Sequence, residues 1–155
     1  MGKLVVIEGT DGSGKSTQFR LLSERLEQEG VPFRHIVFPR YDQPSSALIR
    51  MYLDGEFGHD PADVNAYAAS TFYAVDRFAS YRQDWGEYYQ QGGLILSDRY
   101  TTSNTAYLAA CREVGRAAAD FYGWKTIQCV RDEAMRSIAD IHEEIYRCVS
   151  ACLEG

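Results

Sequence analysis

Long apolar runs are missing from this chain: no stretch approaches the roughly 20 residues that a membrane-spanning helix needs. The opening residues Met1-Gly2-Lys3-Leu4-Val5-Val6-Ile7 lead straight into a strand-like segment without the layered layout of a signal peptide. The expectation is therefore a cytoplasmic protein with no membrane partner. A basic surplus is missing too. Sixteen Lys and Arg against 22 Asp and Glu leave a formal net charge of -6 and a pI near 5.0. A broad cationic surface recruited to nucleic acid by counterion release is excluded on that balance, so any anionic ligand must meet a local cluster of Arg or Lys. Cysteine is present but never in the C-x-x-C pairs of zinc or redox sites: Cys111, Cys129, Cys148 and Cys152 are read as structural thiols. Internal repeats, low-complexity tracts and linkers are also lacking, which leaves one globular domain over residues 1–155, with 45% hydrophobic and 25% charged residues.

What is present is alternation. Four short apolar runs read as strands, at Lys3 to Glu8, Phe33 to Phe38, Leu94 to Ser97 and Trp124 to Val130. Helical patterns separate them at Ser16 to Glu29, Ser45 to Leu53, Pro61 to Gln91 (two helices or one bent), Thr102 to Tyr122 and Ser137 to Leu153. Strands alternating with helices predict an α/β fold with a parallel sheet of about four strands, covered on both faces in a three-layer arrangement.

The segment Gly9-Thr10-Asp11-Gly12-Ser13-Gly14-Lys15-Ser16 follows the first strand directly and opens the first helix. Its spacing is that of a phosphate-binding P-loop. Glycines let the backbone turn with its N–H groups inward, and the helix N-terminus adds the positive end of its dipole. Gly9 through Thr17 are thus the candidate ATP-binding residues, with Lys15 on the β- and γ-phosphates and the Ser16 hydroxyl on Mg²⁺. A phosphate site alone fixes no reaction. Neither an N-K-x-D guanine-reading tetrapeptide nor an L-S-G-G-Q signature occurs, which disfavours a regulatory GTPase and a transporter ATPase.

An enzyme that brings a second anion to ATP needs further cations to let two polyanions approach. Arg40 stands after the second strand in Phe38-Pro39-Arg40-Tyr41, Arg77 lies in a helix in Tyr73-Ala74-Val75-Asp76-Arg77, and Arg99 follows the third strand in Asp98-Arg99-Tyr100. Ligands of parallel α/β sheets bind beyond the carboxyl ends of the strands, where Arg40 and Arg99 fall. Asp98, at the end of an apolar strand, has the layout of a second acidic ligand beside the metal.

These segments, in this order and spacing, together with Asp98-Arg99-Tyr100-Thr101-Thr102-Ser103-Asn104 and the C-terminal stretches Phe121 to Ile127 and Ser137 to Ile145, closely resemble the thymidylate kinase family. The resemblance implies a P-loop NTPase fold and phosphoryl transfer from ATP, with Mg²⁺, to thymidylate (dTMP). It implies that Arg40 and Arg99 hold the acceptor phosphate, that Arg77 bonds a thymine carbonyl and that Tyr73 stacks on the ring. Phe38, Ser103, Asn104 and Tyr107 belong to the same acceptor-binding set. Asp11 would face the acceptor sugar or the transferring group, so Lys15, Asp11 and Arg99 are the candidate catalytic residues, with Ser16 and Asp98 at the metal. A homodimer stays open.

One interval departs from the family pattern. Between Asn104 and Phe121 the family carries a further strand, a helix and an arginine-bearing lid, whereas this chain has only Thr105 to Asp120, as though a block were missing near 105–108. The P-loop itself, Asp11-Gly12-Ser13, has no basic residue, so this chain resembles the lid-dependent type without its lid. Arg112 and Arg116, an i, i+4 pair, are the candidate replacements. The resulting expectation is a thymidylate kinase with impaired transfer. The alternatives are a nucleotide-binding protein without efficient turnover and a kinase for another nucleoside monophosphate or a deoxynucleoside.

Overall fold

Three of the four apolar runs pair as parallel strands in the computed structural model, which describes residues 1–9, 12–60, 63–100 and 119–155. β1 (Lys3–Ile7), β2 (Phe33–Val37) and β3 (Leu94–Asp98) lie in the order β1-β3-β2. Leu94 through Ser97 are all buried, as expected of a central parallel strand covered on both faces. Side chains alternate along a strand, so Leu94 and Leu96 go to one face and Ile95 to the other. On the first face they pack with Phe19, Leu22 and Leu26 of α1 (Lys15–Gln28) and with Val149 of the C-terminal helix. On the second, Ile95 joins Ile36, Phe38 and Trp85. The three-layer α/β arrangement expected from the sequence is therefore present. Leu22 and Leu96 are fully enclosed, and truncating either to Ala removes about 2–5 kcal/mol.

The register sets the site. Ile7 and Val37 both pair with Asp98, so all three strands end at one level and the loops that follow them emerge side by side. Each loop carries one of the sequence motifs: Gly9 onward after β1, Pro39-Arg40 after β2, and Arg99-Tyr100 after β3.

After β2 the chain makes a short 3-10 turn (Pro44–Ser46) into α2 (Ala47–Leu53). The expected helical region 61–91 contains α3 (Ala66–Ser80), a π-turn (Tyr81–Trp85) and α4 (Gly86–Gln90). α3 starts where the Asn65 side chain accepts the Ala68 N–H at 2.9 Å. The π-turn lets Trp85, 3% exposed, enter the core while its Nε1 donates to Ser80 Oγ at 3.1 Å. Glycine is required at its end, because a Cβ on Gly86 would stand 2.3 Å from the Tyr81 carbonyl oxygen. The last helix, α5 (Ile138–Glu154), is capped by Ser137, whose Oγ accepts the Asp140 N–H at 3.0 Å.

The expected fourth strand, Trp124 to Val130, does not join the sheet. Residues 124–128 carry no regular structure, and β4 (Val130–Arg131) pairs antiparallel with β5 (Ala134–Met135) in a separate hairpin. A strand exists only through its ladder. Here Asp132 and Glu133 take left-handed conformations, φ 52° and 63°, and reverse the chain at once. Val130 thus meets its own sequence neighbours instead of β1. Among the described residues β1 is an edge, with α5 reaching it through a hydrogen bond from Lys3 Nζ to the Cys152 carbonyl. Most of the expected helix Thr102 to Tyr122 lies outside the described residues, of which 119–122 are helical. No helix among the described residues is long and apolar enough to cross a membrane.

Candidate active site

The loop after β1 enters α1 through two left-handed glycines, Gly12 at φ 78° and Gly14 at φ 88°. A residue with a Cβ is strained in that region, which is why the motif demands glycine there. No side chain caps α1. Its N-cap, Gly14, has no side chain to offer, and the dipole at this end of the helix favours an anion. Gly9 contributes space: a Cβ on it would approach Ser13 Oγ to 2.8 Å. Lys15, only 9% exposed, begins the helix. Gly12, Gly14, Lys15, Ser16 and Thr17 line a cleft of about 390 Å³, and Arg99 joins them from the end of β3. Of the candidate ATP-binding residues, Thr10 and Asp11 lie outside the described residues.

Arg99 is held in an uncommon backbone conformation, φ 68°. Such a geometry costs of order 1–3 kcal/mol in a non-glycine residue and persists only where its surroundings enforce it. Two contacts do so. Ser97 Oγ donates to the Arg99 carbonyl at 2.6 Å, and the Tyr100 N–H donates to Glu8 Oε1 at 2.8 Å. The second bond ties the loop after β3 to the end of β1, immediately before the P-loop.

Asp98 ends β3 opposite Ile7. Its Oδ1 is buried and has no hydrogen-bond partner among the described residues. An orphaned carboxylate oxygen beside a phosphate cleft fits a hard divalent cation or one of its waters. With the Ser16 hydroxyl it supplies the oxygen donors that Mg²⁺ prefers. No group of three His, Cys, Asp or Glu side chains forms a protein-only cage among the described residues, and Mg²⁺ needs none where phosphate and water supply most of its ligands. Bound there with ATP, the ion would neutralise phosphate charge.

A second group of side chains surrounds the loop after β2. The Phe38–Pro39 peptide is cis. Phe38 is 5% exposed and meets the Tyr100 ring edge-on at 5.6 Å between centroids. Arg40 donates its backbone N–H to Asp76 Oδ2 at 2.9 Å, and its Nε lies 3.6 Å from Asp76 Oδ1. Ser45 Oγ donates to Asp76 Oδ1 at 2.5 Å and accepts from Arg40 Nη2 at 3.3 Å. Arg50 braces the same loop from α2, its Nη1 donating to the Tyr41 carbonyl at 2.5 Å and to Ser46 Oγ at 2.7 Å. One residue along α3 from Asp76, Arg77 donates from Nη1 to the Tyr100 carbonyl at 2.8 Å. Burial lowers the pKa of the Arg77 guanidinium, and Tyr100, Asp76 and Glu8 oppose the shift. Tyr73, half-buried on the same helix, has its phenol pushed up to about 12, chiefly by burial and then by Tyr41 and Tyr52.

Arg99 thus shares the cleft of Lys15 and Ser16, while Phe38 and Arg77 both meet Tyr100, Arg40 is tied to Asp76, and Tyr73 lies one turn before Arg77 on α3. Ser103, Asn104 and Tyr107, with Arg112 and Arg116, lie outside the described residues. Phe72, next to the expected stacking ring Tyr73, packs with Phe57 at 5.6 Å and Tyr52 at 6.2 Å. Sequence reasoning passed over Asp76, Glu8, Ser45 and Arg50 as site residues. For Asp76 a signal existed: it shares the buried stripe of α3 with Ala69 and Ser80 at i, i+7 and i+11, and a carboxylate on an inward helix face needs partners. Ser45 and Arg50 gave none: Ser45 meets Asp76 from 31 positions away, and Arg50 bonds carbonyls and a hydroxyl of an irregular loop.

Residues 7–123 match the family described as "Thymidylate kinase". A thymidylate kinase of Pelotomaculum thermopropionicum is 33% identical over 106 residues, covering 68% of this chain and 47% of that protein. One from Mycobacterium tuberculosis H37Rv is 37% identical over 120 residues, covering 75% and 55% respectively, and one from Prochlorococcus marinus is 33% identical over 115 residues, covering 73% and 53%. This chain spans about half the length of these curated relatives. The matched region runs from the last residue of β1 past Arg99 and holds the P-loop and all three arginine-bearing segments. On that extent of match, and on a site in which those segments converge, the chain belongs to the thymidylate kinase family.

Proposed function

We propose that this chain, as one P-loop domain, binds ATP·Mg²⁺ and transfers the γ-phosphoryl group to thymidylate, forming dTDP. The observation that carries this reading is that Arg99 lines the same cleft as Lys15 and Ser16, with Arg40 and Arg77 presented by the adjoining loop and helix. That layout supplies one cation set for donor phosphates and another for an acceptor phosphate. In phosphoryl transfer the protein's contribution is alignment and charge neutralisation, so no covalent nucleophile is assigned. Lys15, the loop amides and Ser16 take the donor with its metal, and Asp98 stands as the second metal-side oxygen. Arg40 and Arg99 take the acceptor phosphate; Arg77 and Tyr73 read the base. Asp11, outside the described residues, is assigned to the acceptor sugar or the transferring phosphoryl group.

A second reading is a nucleotide-binding protein that turns over poorly. Its support is the short interval between Asn104 and Phe121, together with a P-loop whose Asp11-Gly12-Ser13 segment carries no cation. A coupled ADP-release assay over a panel of nucleoside monophosphates and deoxynucleosides, run beside calorimetric titration of each ligand, separates the readings. Thymidylate-dependent ADP release supports the first. ATP and thymidylate binding without release supports the second, and preference for another acceptor overturns the assignment of thymidylate.

A further inference from the structure

Two acceptor-side loops, one after β2 and one after β3, are held by consecutive residues of a single helical turn. Arg77 holds the second through the Tyr100 carbonyl. Asp76 holds the first, and its geometry is specific. The residue is 1% exposed, and a carboxylate so placed is costly unless it is both paired and hydrogen-bonded. Oδ2 takes the Arg40 backbone N–H, while Oδ1 takes the Ser45 hydroxyl and stands 3.6 Å from Arg40 Nε. The carboxylate therefore holds Arg40 by a hydrogen bond to its backbone and faces its guanidinium at ion-pair distance, with no hydrogen bond at Nε. Ser45 Oγ closes the triangle by accepting from Arg40 Nη2. Side-chain freedom at Arg40 is restricted before any ligand arrives: the side chain is only 15% exposed.

We propose that Asp76 is a positioning residue for acceptor-phosphate recognition, presetting Arg40, and that the Asp76-Arg77 pair aligns the Arg40 and Arg99 loops on one rigid turn of α3. The inference rests on the reading above, in which Arg40 meets the acceptor phosphate. Its physical basis is preorganisation. An arginine already fixed loses less conformational freedom on binding, and that advantage is confined to the ligand group it touches.

The test compares thymidylate with thymidine, which lacks the phosphate, by calorimetric titration of the whole chain. The variants are Asp76→Asn, Arg40→Ala and the double variant, with ATP·Mg²⁺ as control and circular dichroism to confirm folding. Asp76→Asn should weaken thymidylate binding about 10-fold or more, the loss typical of a bond to a charged group, while thymidine and ATP·Mg²⁺ shift less than about 2-fold. Added to Arg40→Ala, it should cost little more, because residues acting through one another are non-additive. Asp76→Glu, which keeps the charge, should recover part of the loss. Equal weakening of thymidine and thymidylate, or fully additive losses, overturns the proposal and assigns Asp76 to general packing. Should Asp76→Asn not fold, Ser45→Ala removes the third corner of the triangle and should produce a smaller loss with the same preference for thymidylate over thymidine; no preference overturns it. A wild-type chain that binds ATP but no thymidylate overturns the acceptor reading itself, a distinct outcome.

Discussion

Arg77 Nη1 donates a 2.8 Å hydrogen bond to the carbonyl oxygen of Tyr100, the residue that follows Arg99. The arginine expected to read the base thus also supports the loop of the arginine in the phosphate cleft. Arg77→Ala should weaken thymidylate binding by about 1–3 kcal/mol, as for loss of a bond involving a charged group, and ATP binding by much less. Calorimetric titration of both ligands checks this. Equal losses would assign Arg77 to scaffolding alone.

Gly14 opens α1 at φ 88° with nothing near the position its Cβ would take. Space does not oppose a side chain there, but backbone conformation does. Gly14→Ala should lower stability by about 1–2 kcal/mol, the cost of a left-handed residue bearing a Cβ. ATP·Mg²⁺ affinity should fall with it if the loop relaxes. Denaturant unfolding with and without nucleotide measures both effects; an unchanged midpoint would mean that the loop carries no such strain.

The phenol of Tyr73 is raised to about 12, mainly by burial. Between the ordinary tyrosine value of about 10 and this one, the folded state holds a proton that the unfolded state has released. Stability from this group is therefore complete below pH 10 and declines as pH rises towards 12. Spectrophotometric titration of tyrosinate should show a late-ionising group that Tyr73→Phe removes. A difference spectrum centred near 10 would contradict the buried placement.

Lys15 and the cleft amides are in place, so ATP·Mg²⁺ binding should be retained while transfer to thymidylate runs slowly. Loss of an arginine that stabilises the transferring phosphoryl group typically costs about 10³ to 10⁵ in turnover. A site less closed to water would also permit slow ATP hydrolysis. Single-turnover assays beside a relative of full length provide the comparison, and Lys15→Ala should abolish the residual activity. Turnover matching that relative would point to Arg112 or Arg116 as the missing cation.

Several features of this chain follow from local chemistry alone. The P-loop depends on residues contiguous in the chain: Gly12 and Gly14 stand where the backbone turns left-handed, and Lys15 opens the helix directly after them. Strands β1, β2 and β3 announced themselves as short apolar runs, and Arg40 and Arg99 fell at their carboxyl ends because a parallel sheet brings those ends together. Trp124 to Val130 looked equally strand-like. Pairing is a property of two segments, however, and the turn at Asp132 and Glu133 claimed Val130 for a hairpin that periodicity could not foresee.

Burial and partner choice, by contrast, came only with folding. Asp76 and Arg40 are 36 positions apart, and Glu8 and Tyr100 are 92 apart; no local pattern couples either pair. The residue types that could meet a phosphate and a base were written in the chain, because their chemistry belongs to the side chains themselves. Which carboxylate fixes which arginine was decided by packing α3 against the loops after β2 and β3, since a buried charge is tolerable only where the fold has already placed its counterpart.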